Sequence, residues 1–438
     1  MSSSSLKKQA VRGTAWTVAG YGTSQILRFG SNLVLTRLLV PEYFGLMAII
    51  NVLLIGLSLF SDIGIGSSII QNKRGDDPTF LNTAWTIQIF RGFALWLCSC
   101  ICALPFARLY GETQLIWIIP VSGLTAIISG FNSTGLFTAN RHMKLSVLTL
   151  IELGSQTVTI LVMVTWALFF PSIWALVAGG LTGALMKMIA SHLWLADIPN
   201  RLTWNQESFK SIIHFGRWIF VSTVLGFFIG HADKLILGKF LSLSDLGVYS
   251  IASMMSKLME KIYDKISHQV LFPIYSKLNH LSPQQLRQKV KKIRTSLMMF
   301  LLPPLWCLVI FGSDIINFLY DSRYQDAGWM LQVLSAGVLF LISYSIGPFH
   351  LAYGNSFLFM KLVATRSFIF LAAMFLGGFF AGKVGLICGI AISNLIFYPI
   401  EAFVYRRFSL WIPQLDALGI LGSGTVIATG LWFKHVFI

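Results

Sequence analysis

Charge is scarce in this sequence. Asp, Glu, Lys and Arg together make up 11% of 438 residues, against roughly 25% in an average soluble chain, while 55% are hydrophobic. A water-exposed surface cannot be built from that composition, which excludes a soluble globular domain. Acidic residues are scarcest, 17 against 33 Lys and Arg, for a formal charge of +16. That excess would fit nucleic acid only on a soluble basic face, and none is present, so no nucleic acid partner is expected. Cysteine is limited to five residues. Cys98 and Cys102 share a helix face while Cys100 points away, so these and Cys307 and Cys388 read as apolar filler, and no metal site is expected. No P-loop, nucleophile elbow, HExxH or paired-cysteine motif occurs, so no enzyme chemistry has a visible site and no cofactor is expected. Loops long enough to hold a globular insert are missing too.

What is present is one apolar run after another, each near the roughly 20 residues a helix needs to cross the hydrocarbon layer. Hydropathy places spans near 14–36, 43–63, 83–105, 114–134, 146–169, 172–195, 213–237, 246–271, 295–319, 329–351, 361–382, 384–404 and 415–437. The fold class is therefore an all-α polytopic membrane protein with about thirteen spans. A removable signal peptide does not fit the basic start, because the apolar segment after Arg12 is too long and lacks a small-residue cleavage site.

Lys and Arg alternate with the spans. With the N-terminus in the cytoplasm, about 19 of them fall at inner ends, among them Lys7, Lys8, Arg12, Lys73, Arg74, Arg141, Lys144 and the run Arg287, Lys289, Lys291, Lys292, Arg294, against about 6 at outer ends (Arg37, Arg108, Lys239, Arg323, Lys383, Lys434). Within that run, Ser282, Pro283 and Gln285 match a helix start, and Leu286, Val290, Ile293 and Leu297 recur at helical spacing. This reads as a basic helix lying on the inner leaflet and feeding the ninth span.

Sliding the chain over itself by about 202 positions lays Arg37 to Gly45 over Lys239 to Gly247, Trp16 over Trp218, Ile49 over Ile251 and Asp62 over Asp264. Six spans per repeat is an even number, so the halves keep one orientation. The expectation is two six-helix lobes around a central cavity, 1–200 and 201–405, with 406–438 as an additional C-terminal span.

Ionisable groups inside hydrocarbon are costly and usually face an aqueous cavity. By helical rise, Arg28 lies roughly 20 Å along the first span from its cytoplasmic end and Arg91 roughly 12 Å along the third. Lys187 lies about 10 Å into the sixth, where cavity and snorkelling to the interface both fit. Glu152 is about 9 Å into the fifth span, Asp62 and Asp264 close the second and eighth, and Asp233 and Lys234 lie toward the outer end of the seventh. These acids and Lys234 read as solvated helix ends, local ion pairs, or groups for ion coupling and gating. His231 titrates near neutral pH or simply packs. Two deep arginines suit phosphate oxygens better than a neutral solute.

Arg37-Leu-Leu-Val-Pro-Glu-Tyr-Phe-Gly45, Leu59-Phe-Ser-Asp-Ile-Gly-Ile-Gly-Ser-Ser-Ile-Ile-Gln71, Asn82-Thr-Ala-Trp85, Asp233-Lys-Leu-Ile-Leu-Gly238 and Leu246-Gly-Val-Tyr249 together resemble bacterial polysaccharide-transport flippases of the Wzx type. The resemblance covers most of the chain. It implies the multidrug/oligosaccharidyl-lipid/polysaccharide exporter fold, two six-helix lobes forming a V, and residence in the bacterial inner membrane. It implies as substrate an oligosaccharide repeat unit on a polyprenyl diphosphate, moved from the inner to the outer leaflet, and as partners the bilayer, a polysaccharide polymerase and a chain-length regulator. Members often carry fourteen spans, where thirteen are read here. Rival readings are a cation-coupled drug exporter of the same superfamily, which calls for deep carboxylates, and a membrane polysaccharide polymerase or ligase, which calls for a sizeable outer loop.

Overall fold

The computed structural model describes residues 3–195, 200–267, 271, 275, 283–346, 349 and 356–437. Local chemistry sets where the helices start and stop. Proline stands in the first turn of α2 (Pro41–Phe60) and α4 (Pro78–Tyr110), where its missing N–H has no intrahelical acceptor to lose. Asp77 caps α4 by accepting the Thr79 N–H at 2.9 Å. The Arg74 guanidinium, hydrogen-bonded to Asp77 at 2.8 Å, holds that carboxyl below the usual aspartate range, helped by the Thr79 amide. Gly111, with φ of 72°, ends the same helix in the left-handed region.

The described residues divide into two compact units, 1–239 and 240–438. The first holds α1 (Ser3–Leu38), α2, α3 (Ile65–Gln71), α4, α5 (Leu115–Gly130), α6 (Gly135–Arg141), α7 (Leu145–Phe169), α8 (Trp174–Trp194) and nearly all of α9 (Gln206–Phe240). The second holds α10 (Leu243–Ile266), α11 (Pro283–Leu319), a short 3-10 turn (Ser322–Tyr324), α12 (Ala327–Tyr344), α13 (Ser356–Arg407) and α14 (Pro413–Phe437). Among the described residues eight helices are long and apolar enough to cross a membrane, and α5 with α6 forms one more, bent by 59°. The chain is a multi-pass membrane protein.

The thirteen expected segments fall on α1, α2, α4, α5, α7 to α12, the two arms of α13, and α14. Ala381 and Gly382 leave helical geometry, Gly382 with φ of 54°, and split α13 into arms 356–380 and 383–407. The arms fold back on one another because Gly377 faces Gly385, where an added Cβ would meet backbone at about 2 Å. Three of the helices carrying expected spans are among neither the eight nor the bent pair: α1, α9 and α10, which are the expected first, seventh and eighth spans, and α10 is amphipathic, with Lys257, Glu260, Lys261, Asp264 and Lys265 along it.

The 202-residue offset reappears in the helix limits: α1 and α9 end at Leu38 and Phe240, and α2 and α10 begin at Pro41 and Leu243. Gly45 and Gly247 are both buried in the second turn of their helices. The expected seventh span, α9, packs within the first unit, where Phe227 meets Phe60 edge-on at 4.9 Å and the Tyr110 hydroxyl donates to the Leu235 carbonyl at 3.1 Å.

The basic helix expected on the inner leaflet is packed differently. α11 does begin at Pro283, with Ser282 outside the described residues, and Arg287, Lys289, Lys291 and Lys292 are exposed. Its apolar face, however, lies on protein. Leu286 and Val290 are buried in a core with Tyr263, Tyr275, Phe349 and Leu410. Arg294, assigned above to the inner surface, follows Val290 by four residues and so turns to that same buried face, where it pairs with Asp416.

Candidate functional site

Packing in the first unit starts from small residues. An added Cβ on Gly92 would stand 2.7 Å from the Ala126 carbonyl oxygen, and one on Gly130 would stand 3.0 Å from that of Gln88, so α4 and α5 touch backbone to backbone there. The contact brings Gln88 to the last carbonyls of α5. Its amide donates to Ser129, Gly130 and Asn132 at 3.2, 3.0 and 3.0 Å, and His192 meets the Phe131 carbonyl at 2.8 Å. The helix end left bare by the bend between α5 and α6 is thus satisfied by side chains. At the end of α6, Arg141 Nη1 donates to the carbonyls of Ile69, Ile70 and Asn72 at 2.7 to 2.9 Å and closes α3 in the same way.

Between these elements lies a cavity of about 480 Å³, lined by Ser58 of α2 and Asp62 just beyond it, Gln88 and Arg91 of α4, and Ser129 of α5 and Asn132 just beyond it. Arg91 Nε donates to Ser61 Oγ at 2.9 Å and its Nη2 to the Ser58 carbonyl at 2.6 Å. Asp62 lies within electrostatic reach of that guanidinium and accepts the Gly64 N–H at 2.9 Å. Gly64, with φ of 65°, then starts α3 from the left-handed region. Asn132 Oδ1 is buried without a hydrogen-bond partner among the described residues. The cavity therefore offers one cation, one carboxylate and several amide and hydroxyl groups within otherwise apolar helices, the chemistry needed to replace water around a polar solute.

The other expected site residues are placed elsewhere. Lys187 Nζ donates to Glu152 at 2.8 Å, joining α8 to α7. Arg28 is exposed on α1, one turn beyond Ser24, which exchanges hydrogen bonds with Gln156 at 2.6 and 3.0 Å, and does not line the cavity. His231 stacks at a tilt on Phe227, ring centroids 5.7 Å apart. Asp233 is buried in α9 and Lys234 is half-buried. Asp264 is exposed on α10 in the second unit. Of the named groups the structure brings together Arg91 with Asp62 and Lys187 with Glu152, and it leaves Arg28 outside the cavity lining. Gln88 and Asn132 were not singled out from sequence. The available signal was spacing: Gln88 precedes Arg91 by three residues, which puts two polar groups on one face of an apolar helix.

The profile of the polysaccharide biosynthesis protein family matches residues 34–328. The chain is 21% identical over 432 residues to "Lipopolysaccharide biosynthesis protein WzxC" of Escherichia coli (strain K12), covering 93% of this chain and 85% of that one. It is 22% identical over 318 residues to "Succinoglycan biosynthesis transport protein ExoT" of Rhizobium meliloti (strain 1021), covering 70% of this chain and 63% of that one. In fold it is similar to the lipid II flippase MurJ in an inward closed conformation, with a TM-score of 0.71, 14% identity, and coverage of 97% of this chain and 100% of that one.

Proposed function

Because the chain belongs to the polysaccharide biosynthesis protein family, we propose that it is a flippase that carries a polyprenyl-diphosphate-linked oligosaccharide repeat unit across the bacterial plasma membrane for surface polysaccharide assembly. The observation that carries this reading is the polar cavity around Arg91, held open among helices that are otherwise apolar. A lipid-linked sugar fails to cross a bilayer unaided because its hydroxyls and phosphates would lose water without replacement. Gln88, Ser129, Asn132 and Asp62 offer hydrogen-bond partners to hydroxyls, and Arg91 offers a planar donor to the diphosphate, while the polyprenyl tail stays in lipid.

Arg28, on the exposed face of α1, belongs to the same proposal as a cation met by the diphosphate before or after the cavity. Alternating access by two lobes, 1–200 and 201–405 with 406–438 appended, belongs to it as well, with the N-terminus cytoplasmic and the product passed to a polymerase and its chain-length regulator. The test is a deletion strain complemented with this chain. Accumulation of lipid-linked repeat units on the cytoplasmic leaflet without it, and their transfer to the outer leaflet with it, is the expected result. Accumulation on the outer leaflet would replace the flippase reading with a polymerase or ligase.

A further inference from the structure

The second unit encloses a charged network that the cavity around Arg91 does not use. Arg294 of α11 is 2% exposed and Asp416 of α14 is 1% exposed, and the two form an ion pair. The same Arg294 nitrogen, Nη2, donates to the Ser343 carbonyl of α12 at 2.7 Å, while Asp416 Oδ2 accepts from the Tyr398 hydroxyl at 3.2 Å. Both Asp416 oxygens are therefore satisfied. Arg366, on the first arm of α13, donates to Asn394 Oδ1 at 3.1 Å and stands 3.9 Å from Glu260 of α10.

Glu401, on the second arm of α13, is the carboxyl left over by these pairings. Arg366, Arg294 and Asp416 lie within its electrostatic reach, as do Tyr263 of α10 and Tyr344 of α12. The Tyr405 hydroxyl hydrogen-bonds to the carboxyl group and itself accepts the Ile346 N–H at 3.3 Å. Glu401 Oε2 is shielded from solvent and has no hydrogen-bond partner among the described residues, and the same holds for Nε and Nη1 of the buried Arg294. A bare, desolvated carboxylate oxygen is costly. A proton removes the charge whose desolvation is costly, whereas a sodium ion there would face two guanidinium groups.

We propose that Glu401 is an exchangeable proton-binding site, and that its protonation re-partners Arg366 between Glu401 and Glu260. Protonation forms one O–H bond on Oε2 and removes one negative charge; nothing else is made or broken. With Glu401 ionised, Arg366 is drawn to its own helix hairpin. With Glu401 neutral, Arg366 is drawn to Glu260, which tightens α13 against α10. The site rests on the flippase reading only for what the proton would drive.

The test is infrared difference spectroscopy of the full chain in lipid nanodiscs between acidic and alkaline buffers. A protonated-carboxyl band lost on alkalinisation, absent from Glu401→Gln and retained in Asp264→Asn, is the expected result. Arg366→Gln removes a charge that favours the carboxylate, so the pH at which the band disappears rises by about one unit, a roughly tenfold tighter hold on the proton. A band that survives in folded Glu401→Gln, or one that moves with sodium rather than pH, overturns the site. Should Glu401→Gln fail to fold, Glu401→Asp decides: a band with a displaced midpoint supports the assignment and an unchanged one overturns it. The measurement needs no lipid-linked sugar, so a normal band in a chain that fails to restore polysaccharide export would sink the flippase reading and leave the proton site standing.

Discussion

Lys187 Nζ lies 2.8 Å from Glu152 Oε2, so the two ionisable groups of neighbouring helices α7 and α8 neutralise each other across their seam. The side chains are 37% and 53% exposed, and in water such a pair would be worth at most about 1 kcal/mol. In hydrocarbon a lone charge at a span centre costs about 2.5 to 3.5 kcal/mol on insertion scales. Glu152→Gln and Lys187→Met should therefore each lower thermal stability in nanodiscs, and the double variant should recover most of the loss. Additive losses in that double-mutant cycle would show that the pair faces water.

Arg91 is held by α2 through Ser61 and the Ser58 carbonyl, which separates its charge from its packing. Arg91→Gln should keep expression and membrane insertion while lowering polymer export at least about tenfold, the effect of roughly 1.4 kcal/mol. Arg91→Lys should retain part of the activity, since a point charge still attracts diphosphate but loses the planar fork. Ser61→Ala, which removes the Nε acceptor and no charge, should export nearly normally. Because Arg28 lies outside the cavity lining, Arg28→Gln should cost less than Arg91→Gln. Full export by the Arg28→Gln, Arg91→Gln double variant would refute the cationic mechanism.

Orientation is checked by fusion. A reporter active only outside the cytoplasm should report after Lys239, beyond α9, and stay silent after Lys291, among the exposed basic residues of α11. Activity after Lys291 would invert the topology.

Asp77 gives a pH dependence with a definite sign. Its carboxyl is held low by the Arg74 hydrogen bond and by the Thr79 amide, so its stabilising effect is full above the ordinary aspartate value and fades as pH falls through the lowered value of the folded state. Asp77→Asn keeps a good cap and should flatten the acidic limb of the thermal midpoint against pH. Asp77→Ala should cost about 1 kcal/mol at neutral pH as well. An acidic limb identical in wild type and Asp77→Asn would assign it to other carboxylates.

Much of the fold was legible because hydropathy is a property of short windows. Apolar runs of span length and the 202-residue offset both reappear in the helix limits. The candidate site was legible only in part. Arg91 stood out because a cation is costly in hydrocarbon wherever it points, and Asp62 because it closes a span. Gln88 was passed over because a neutral amide in an apolar helix carries no comparable penalty, and its function depends on three carbonyls more than 40 residues away in sequence.

Depth in the chain also misled where partners were distant. Arg294 reads as one more inner-surface charge because it closes a basic run with Lys291 and Lys292, yet Asp416 awaits it from 122 positions downstream. Composition and periodicity by themselves determined that this protein is a membrane-spanning helical chain, and they marked Arg91 and Asp62 as costly in hydrocarbon. Only the tertiary structure decided which charges meet: Arg91 with the end of α2, Lys187 with Glu152, and Arg294 with Asp416. Span formation follows from the local free energy of moving each segment into lipid. Pairing depends on which helix faces touch, set by glycines such as Gly92 and Gly130 that let backbones approach.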